Sequence, residues 1–319
     1  MTFVNQRIDR QLNFSRLLEV APKTKVLVIG ALNVDEIFFL PSDFRDDSAT
    51  YVAGKQVVAG GHAGNAASAF AQLGMQTSIL GAIGVDSAGS WLLDDLSQRG
   101  IETSLVRVVN EPTGRAIIPV FSNCHFMILE RGANEHLGDI PNEALADFDA
   151  IALFDPPLSF LKQLVSLLEA NVELPDVYWT PGGHYASHEI TSRLLPLVHC
   201  IFLNSAETEI VKKLKPNPLS SAHRTTVVET RGAKGAAGFL NGESYLIPGF
   251  ATECVDPTGA GDLFASCFIL ADKAGLTISD CLTVGNAGGM IAVETIGARS
   301  SKFDLDYLLD RLYTRKSSP

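Results

Sequence analysis

Apolar residues in this chain gather in short continuous runs rather than in alternation. The first is Lys25-Val-Leu-Val-Ile-Gly30, closed by a glycine. A strand that is apolar on both faces belongs inside a parallel sheet with helices on each side. Runs of the same kind recur at 77–81, 150–154, 177–179, 200–203 and 226–229. Between them lie segments of helical character: 65–73 ahead of Gly74, 91–98 stopped by Gly100, and 160–169. Gly74 suits a helix C-cap. Strand and helix in alternation predict an α/β fold around a parallel sheet.

Two stretches break the rhythm. Ile37, Phe38 and Phe39 precede a polar, acidic segment, and 51–58 is again strand-like. From 103 to 130 the apolar groups Val106, Val108, Val109, then Ile117, Ile118, Val120, Phe121, then 126–129 follow one another. Turn signals at Pro112-Thr113-Gly114 and Ser122-Asn123 separate them. Segments near 36–59 and 103–130 therefore predict a small extra β-sheet, a lid. Residues 1–22 read as an extension. There Arg7, Arg10 and Arg16 alternate with Leu12, Phe14, Leu17 and Leu18 in a short amphipathic helix closed by Pro22. It would dock on the body or on another subunit, with one domain covering 23–319.

Composition narrows the class. Of 319 residues 46% are apolar and 19% charged, which is globular composition. The net charge of −11 repels nucleic-acid backbones, but leaves room for a small phosphate ligand in a local pocket. No run approaches the ~20 apolar residues of a membrane span. The five cysteines are odd in number and form no CxxC pair. Together with the lack of a secretion signal, they point to a reducing, cytoplasmic setting.

The strongest chemical signal is Asp256-Pro-Thr-Gly-Ala-Gly-Asp262. Leu263, Phe264, Cys267, Phe268 and Leu270 follow at helical spacing, so a helix starts near Ala260. Glycines before a helix let backbone N–H groups converge on an anion, and the helix N-terminus adds partial positive charge. A carboxylate in that first turn repels an anion unless it is there to take a proton. Alone, Asp262 would serve the helix dipole. Gly60-Gly61-His62-Ala63-Gly64-Asn65 places two glycines before a small-residue helix bearing an Asn. Asn33 and Asp35 follow the first buried strand and face the same way, a donor–acceptor pair suited to a polyol. In open parallel sheets ligands lie beyond the carboxyl ends of the strands.

The glycine pair with its downstream Asn, taken with the late Asp-x-Thr-Gly-Ala-Gly-Asp, resembles the ribokinase, or PfkB, family of carbohydrate kinases. The match runs in order over about residues 25–300. The resemblance implies an α/β three-layer sandwich with a mostly parallel sheet and a small β lid. It also implies ATP-dependent phosphorylation of a hydroxymethyl group. Asp262 matches the family's catalytic base, and Gly259, Ala260 and Gly261 its anion hole. Asn33, Asp35, Gly61 and Asn65 match sugar-binding positions. Asn204 and Glu207 resemble the family's Asn-x-x-Glu, linked to Mg²⁺ and phosphate. Thr230, Gly232 and Gly235 resemble its nucleotide loop, and Asn286 a helix bordering adenine. Asp256 matches a loop that in some relatives holds a monovalent cation such as K⁺. Asp155 reads equally as a sugar contact or as a helix N-terminal Asp beside Pro156.

Two departures bear on the acceptor. His62 stands where several ribose kinases carry Lys, and 42–53 lacks their Pro-Gly-Glu-type turn. Other chemistries fit poorly. His184 and His188 lack the Glu of a zinc HExxH motif, and Gly182-Gly183 makes that segment loop-like. Phe264 replaces the third glycine of a dinucleotide fingerprint, and no P-loop is present. The chain is expected to be a kinase acting on a sugar, with a nucleoside acceptor or a silent sugar-binding regulator as alternatives. A homodimer through the lid strands is expected from the apolar residues at 117–129.

Overall fold

The computed structural model describes residues 14–41, 49–121, 124–140, 145–170, 174–220, 222, 224–295, 297–299 and 303–314. The expected positions Arg7, Arg10 and Leu12, and most of the lid stretch 42–53, lie outside them.

An eight-stranded sheet forms the centre. Its order is Glu243–Ile247, Ala236–Leu240, Thr226–Thr230, Cys200–Asn204, Asp176–Thr180, Ala150–Phe154, Lys25–Gly30, Gln76–Leu80. The last six are mutually parallel, and the first two are added as an antiparallel hairpin. The continuous apolar runs have a direct cause: alternate residues enter two different cores. Val26 and Val28 join one with Phe70, Phe264 and Phe268, under helices His62–Gln72, Ala260–Lys273 and Ile278–Val293. Leu27 and Ile29 join the other with Phe160, Leu164 and Trp179, under helix Leu158–Glu169. Both faces are covered, as a parallel sheet requires.

The lid is a second sheet. Gly54–Gly60 pairs antiparallel with Asn33–Phe39, which runs parallel to Gly114–Phe121. Cys124–His125 and Ile128–Glu130 pair with Gly114–Phe121. The expected lid stretch 103–130 divides. Arg107–Val109 pairs instead with Ala82–Gly84, because Leu105 and Val109 bury themselves against the second core. At the N-terminus, Ser15–Val20 is helical, and Phe14 and Leu17 are fully buried in the first core.

Two features of this frame position the site. The chain order reverses between Lys25–Gly30 and Ala150–Phe154, so the carboxyl ends of these neighbours diverge into a crevice. Helix Ala260–Lys273 is also tied at its far end. Asp272 accepts from Tyr178 Oη at 2.5 Å and pairs with His199 Nε2 at 3.0 Å, while Lys273 Nζ reaches Asp176 at 2.9 Å. The N-terminus of that helix is thereby fixed over the crevice.

Candidate active site

A cavity of about 440 Å³ opens at the carboxyl ends of the parallel strands. It gathers Asn33, Asp35, Gly61, Asn65, Asp155, Asn204, Glu207, Thr230, Gly259, Gly261 and Asp262, eleven of the residues singled out in the sequence. A larger cavity of about 670 Å³ lies over the hairpin Ala236–Ile247. Its charged residues include Arg231 and Glu229, which pair with each other at 3.0 Å, and it holds none of the predicted site residues.

Asp262 sits in the first turn of its helix, 4% exposed. His62 Nδ1 lies 2.9 Å from its Oδ1, and Asn65 Nδ2 donates to its Oδ2 at 3.3 Å. The negative charge of Asp262 raises the His62 pKa to about 9, against the lowering effect of desolvation. The imidazole is therefore a cation at neutral pH. Both partners come from helix His62–Gln72, which starts where it does because Gly61 adopts φ +84. A Cβ there would stand 2.5 Å from Ala31 O, so the backbone packs against the turn after the first strand. Gly259 likewise caps the Asp262 helix at φ +77, a left-handed conformation open to glycine.

Asp35 faces the same space from the first lid strand. Burial raises its pKa to about 6, an effect opposed by Arg299 and His62. Glu207 is buried and its pKa is also raised by desolvation. Asn204 and Glu207 form a reciprocal capping box: Glu207 N–H donates to Asn204 Oδ1 and Asn204 N–H to Glu207 Oε2, both at 2.9 Å. The Asn-x-x-Glu spacing thus has a purely local explanation as well. Glu207 nevertheless lines the cavity and offers hard oxygen donors of the kind Mg²⁺ prefers.

Five expected residues stand apart from the cavity wall. The Ala260 N–H donates to Pro257 O at 3.2 Å and is spent inside the loop. Asp256 binds the backbone N–H groups of Thr258 and Gly297, each at 2.9 Å, tying that loop. Gly232 lies in the tight turn after Thr230. Gly235 packs its backbone against Ile247 O and Gly249 N, and Asn286 Nδ2 donates to the carbonyls of Ile247 and Pro248. These last two brace one segment, 247–249. Of the pair His184 and His188, the second is put to local use: His188 Nδ1 accepts from Ile190 N and caps helix Glu189–Leu194.

Sequence reading passed over Arg299. It is buried and donates to Asn65 Oδ1 at 3.1 Å, Gly60 O at 2.7 Å and Asp95 at 2.5 Å. It therefore holds the residue that holds Asp262. Arg299 lies in no motif, and 37 residues separate it from Asp262 along the chain, so no spacing rule could have flagged it.

A buried carboxylate at a glycine-capped helix N-terminus thus faces a polar pocket across a strand-end crevice, an arrangement that can bind an anion and take a proton from a neighbouring hydroxyl. Solved structures share the fold. A nucleoside kinase of Methanocaldococcus jannaschii superposes with a TM-score of 0.81 at 22% identity, covering 91% of this chain and 98% of that one. The Arabidopsis thaliana ribokinase complexed with ribose and ATP gives 0.78 at 26% identity, covering 91% and 98%. The curated ribokinase of Haemophilus influenzae is 29% identical over 291 residues, 86% of this chain and 94% of that protein. The pfkB family carbohydrate kinase profile matches residues 23–304, so the chain belongs to that family of sugar kinases.

Proposed function

We propose that the protein transfers the γ-phosphate of ATP to a primary hydroxyl of a neutral sugar or sugar-like alcohol. The carrying observation is the position of Asp262. It is buried at the mouth of a helix N-terminus and held from behind by His62 and Asn65, in one cavity with Asn33 and Asp35. Asp262 orients the acceptor hydroxyl and takes its proton as the phosphoryl group arrives. An ordinary carboxylate serves because the transition state is loose and demands little from the base. Backbone groups at Gly259 and Gly261, with the dipole of the 14-residue helix, stabilise charge on the transferred phosphoryl. Mg²⁺, held by Glu207 through water, would neutralise phosphate charge. Closure of the lid would exclude water as a competing acceptor.

The lining favours an uncharged acceptor. Asp35, Asp155, Glu207 and Asp262 face the cavity, and no Lys or Arg is among its described lining residues. A phosphosugar would meet four carboxylates, of which Asp155 is already paired with Arg131, and His62 is the one cation in the lining. A second reading, a nucleoside acceptor, is favoured by the lid's inner wall, where Ala116, Ile118, Met127 and Leu129 form an apolar surface suited to a flat base. The opposite lid face leaves Val57 and Ile128 exposed, which supports a homodimer through the lid. No helix among the described residues is long and apolar enough to cross a membrane. Asp256 ties the loop before the Asp262 helix, and a monovalent cation such as K⁺ held at that loop would steady it further. The decisive experiment is ATP consumption across a panel of sugars and nucleosides. Silence with every acceptor, alongside measurable ligand binding, would favour a regulator on this scaffold.

A further inference from the structure

Asn33 and Asp155 reach the cavity from different strands, yet one turn holds both. The turn is Gly132–Glu135, a 3-10 segment that follows lid strand Ile128–Glu130 through Arg131. Arg131 Nη1 donates to both carboxylate oxygens of Asp155, at 3.0 and 2.9 Å. Its Nη2 donates to the Asp155 carbonyl at 3.2 Å, supporting a residue that stands at φ +55. Asn134 is fully buried. Its Oδ1 accepts from Leu32 N at 2.8 Å, and its Nδ2 donates to Leu32 O at 3.1 Å and Asn33 Oδ1 at 2.8 Å.

These bonds fix polarity as well as position. The backbone of Leu32 permits one orientation of the Asn134 amide, because Oδ1 must meet the N–H. Nδ2 then faces Asn33, so Asn33 turns its oxygen inward and presents its own NH₂ to the cavity. Asp155, gripped by a fork of donors, presents carboxylate lone pairs. The arrangement leaves no slack: a Cβ at Gly114 would fall 2.0 Å from Asn134 Nδ2 and 2.5 Å from Asn33 Oδ1.

We propose that Arg131 and Asn134 are positioning residues that set the hydrogen-bonding polarity of the acceptor subsite, Asn33 as donor and Asp155 as acceptor, and link it to the lid strand. The proposal rests on the kinase reading above. Through Arg131 the lid strand runs straight into the turn, so a shift of the lid moves the contacts that aim both side chains.

The test uses the full-length protein with Asn134→Asp and Arg131→Lys. In Asn134→Asp one oxygen still accepts from Leu32 N, but the other opposes Asn33 Oδ1 and forces that side chain to rotate. In Arg131→Lys the fork is lost while the charge is kept. Each variant is expected to raise the acceptor KM roughly tenfold, the worth of about one hydrogen bond, with the ATP KM within about twofold. An unchanged acceptor KM, or both KM values rising together, would overturn the proposal. Crystal structures of the variants give a readout free of turnover. Asn33 is expected to rotate in the first and Asp155 to shift in the second, and both side chains staying in place would refute the idea. If the unaltered enzyme phosphorylates no acceptor, the kinase reading falls and the crystal structures still decide this one.

Discussion

Asp262→Asn replaces the carboxylate by an amide of nearly equal size and removes one charge from a buried position. Two consequences can be worked out from the geometry. First, the acceptor hydroxyl loses its proton acceptor. Removing a positioned general base costs about 10²–10⁴ in rate, or roughly 3–5 kcal/mol of barrier. Second, His62 loses the charge that is the largest cause of its raised pKa. The partial desolvation that lowers its pKa is retained. The titration midpoint should therefore fall from about 9 back toward the ordinary imidazole value of 6.5. The folded state holds the His62 proton more tightly than the unfolded chain does. The stability from this pair is thus full below pH 6.5 and is lost as pH rises through about 9. The variant should lack that alkaline loss. The assays are a coupled kinase assay with the best acceptor from the panel, calorimetry with ATP, and ¹⁵N NMR titration of the His62 ring. Turnover is expected to fall by at least about a hundredfold with ATP affinity nearly intact. Residual turnover within about tenfold of the unaltered enzyme would refute the base assignment. A His62 midpoint that stays near 9 would refute the ion-pair argument.

Three further outcomes follow from the same contacts. Arg299→Met keeps much of the stem but strands Gly60 O and Asn65 Oδ1, while Asp95 keeps Arg99 at 3.1 Å. Unpaired buried groups cost about 1–3 kcal/mol each, so a loss of about 3 kcal/mol is expected. For a chain of this length that is a Tm drop of about 4–5 °C, and an unchanged Tm by calorimetry would contradict it. Asp35 is held neutral by burial up to about pH 6, so kcat/KM for the acceptor should fall as pH drops through 6. Its folded pKa lies above the unfolded value of 3.8, so its contribution to stability declines as pH rises from about 4 to 6, and denaturant midpoints across that range check the sign. Glu207→Gln keeps an oxygen for the Asn204 N–H but loses the charge. It should raise the Mg²⁺ concentration needed for half-maximal rate by about tenfold or more with little change in Tm, and an unaltered Mg²⁺ dependence would remove Glu207 from that role.

Much of this was written locally. The unbroken runs of apolar residues specify strands buried on both faces, and that requires helices above and below. The glycine-capped start of the Asp262 helix is local too, since the left-handed Gly259 and the helical spacing after it are properties of one short stretch, residues 259–270. Local patterns also leave choices open. Arg107–Val109 has strand content, but content does not name a partner, and burial against the second core drew it away from the lid. Asn204 and Glu207 satisfy a metal-binding pattern and a capping box with the same spacing, so the pattern alone could not separate them.

What the chain could not announce is which side chains meet. His62 and Asp262 are 200 positions apart, Arg299 and Asn65 are 234, and Asn134 and Asn33 are 101. Hydrophobic periodicity specifies which face an element buries, because burial depends on one residue and its near neighbours. Hydrogen bonds between side chains are short and directional, so they exist only after packing has brought distant segments within about 3 Å. The sequence by itself determined the sheet, the helix that carries Asp262 and the family of chemistry. The tertiary structure decided that Asp262 is clasped by His62 and Asn65, that a buried arginine steadies the clasp, and that one turn holds both Asn33 and Asp155.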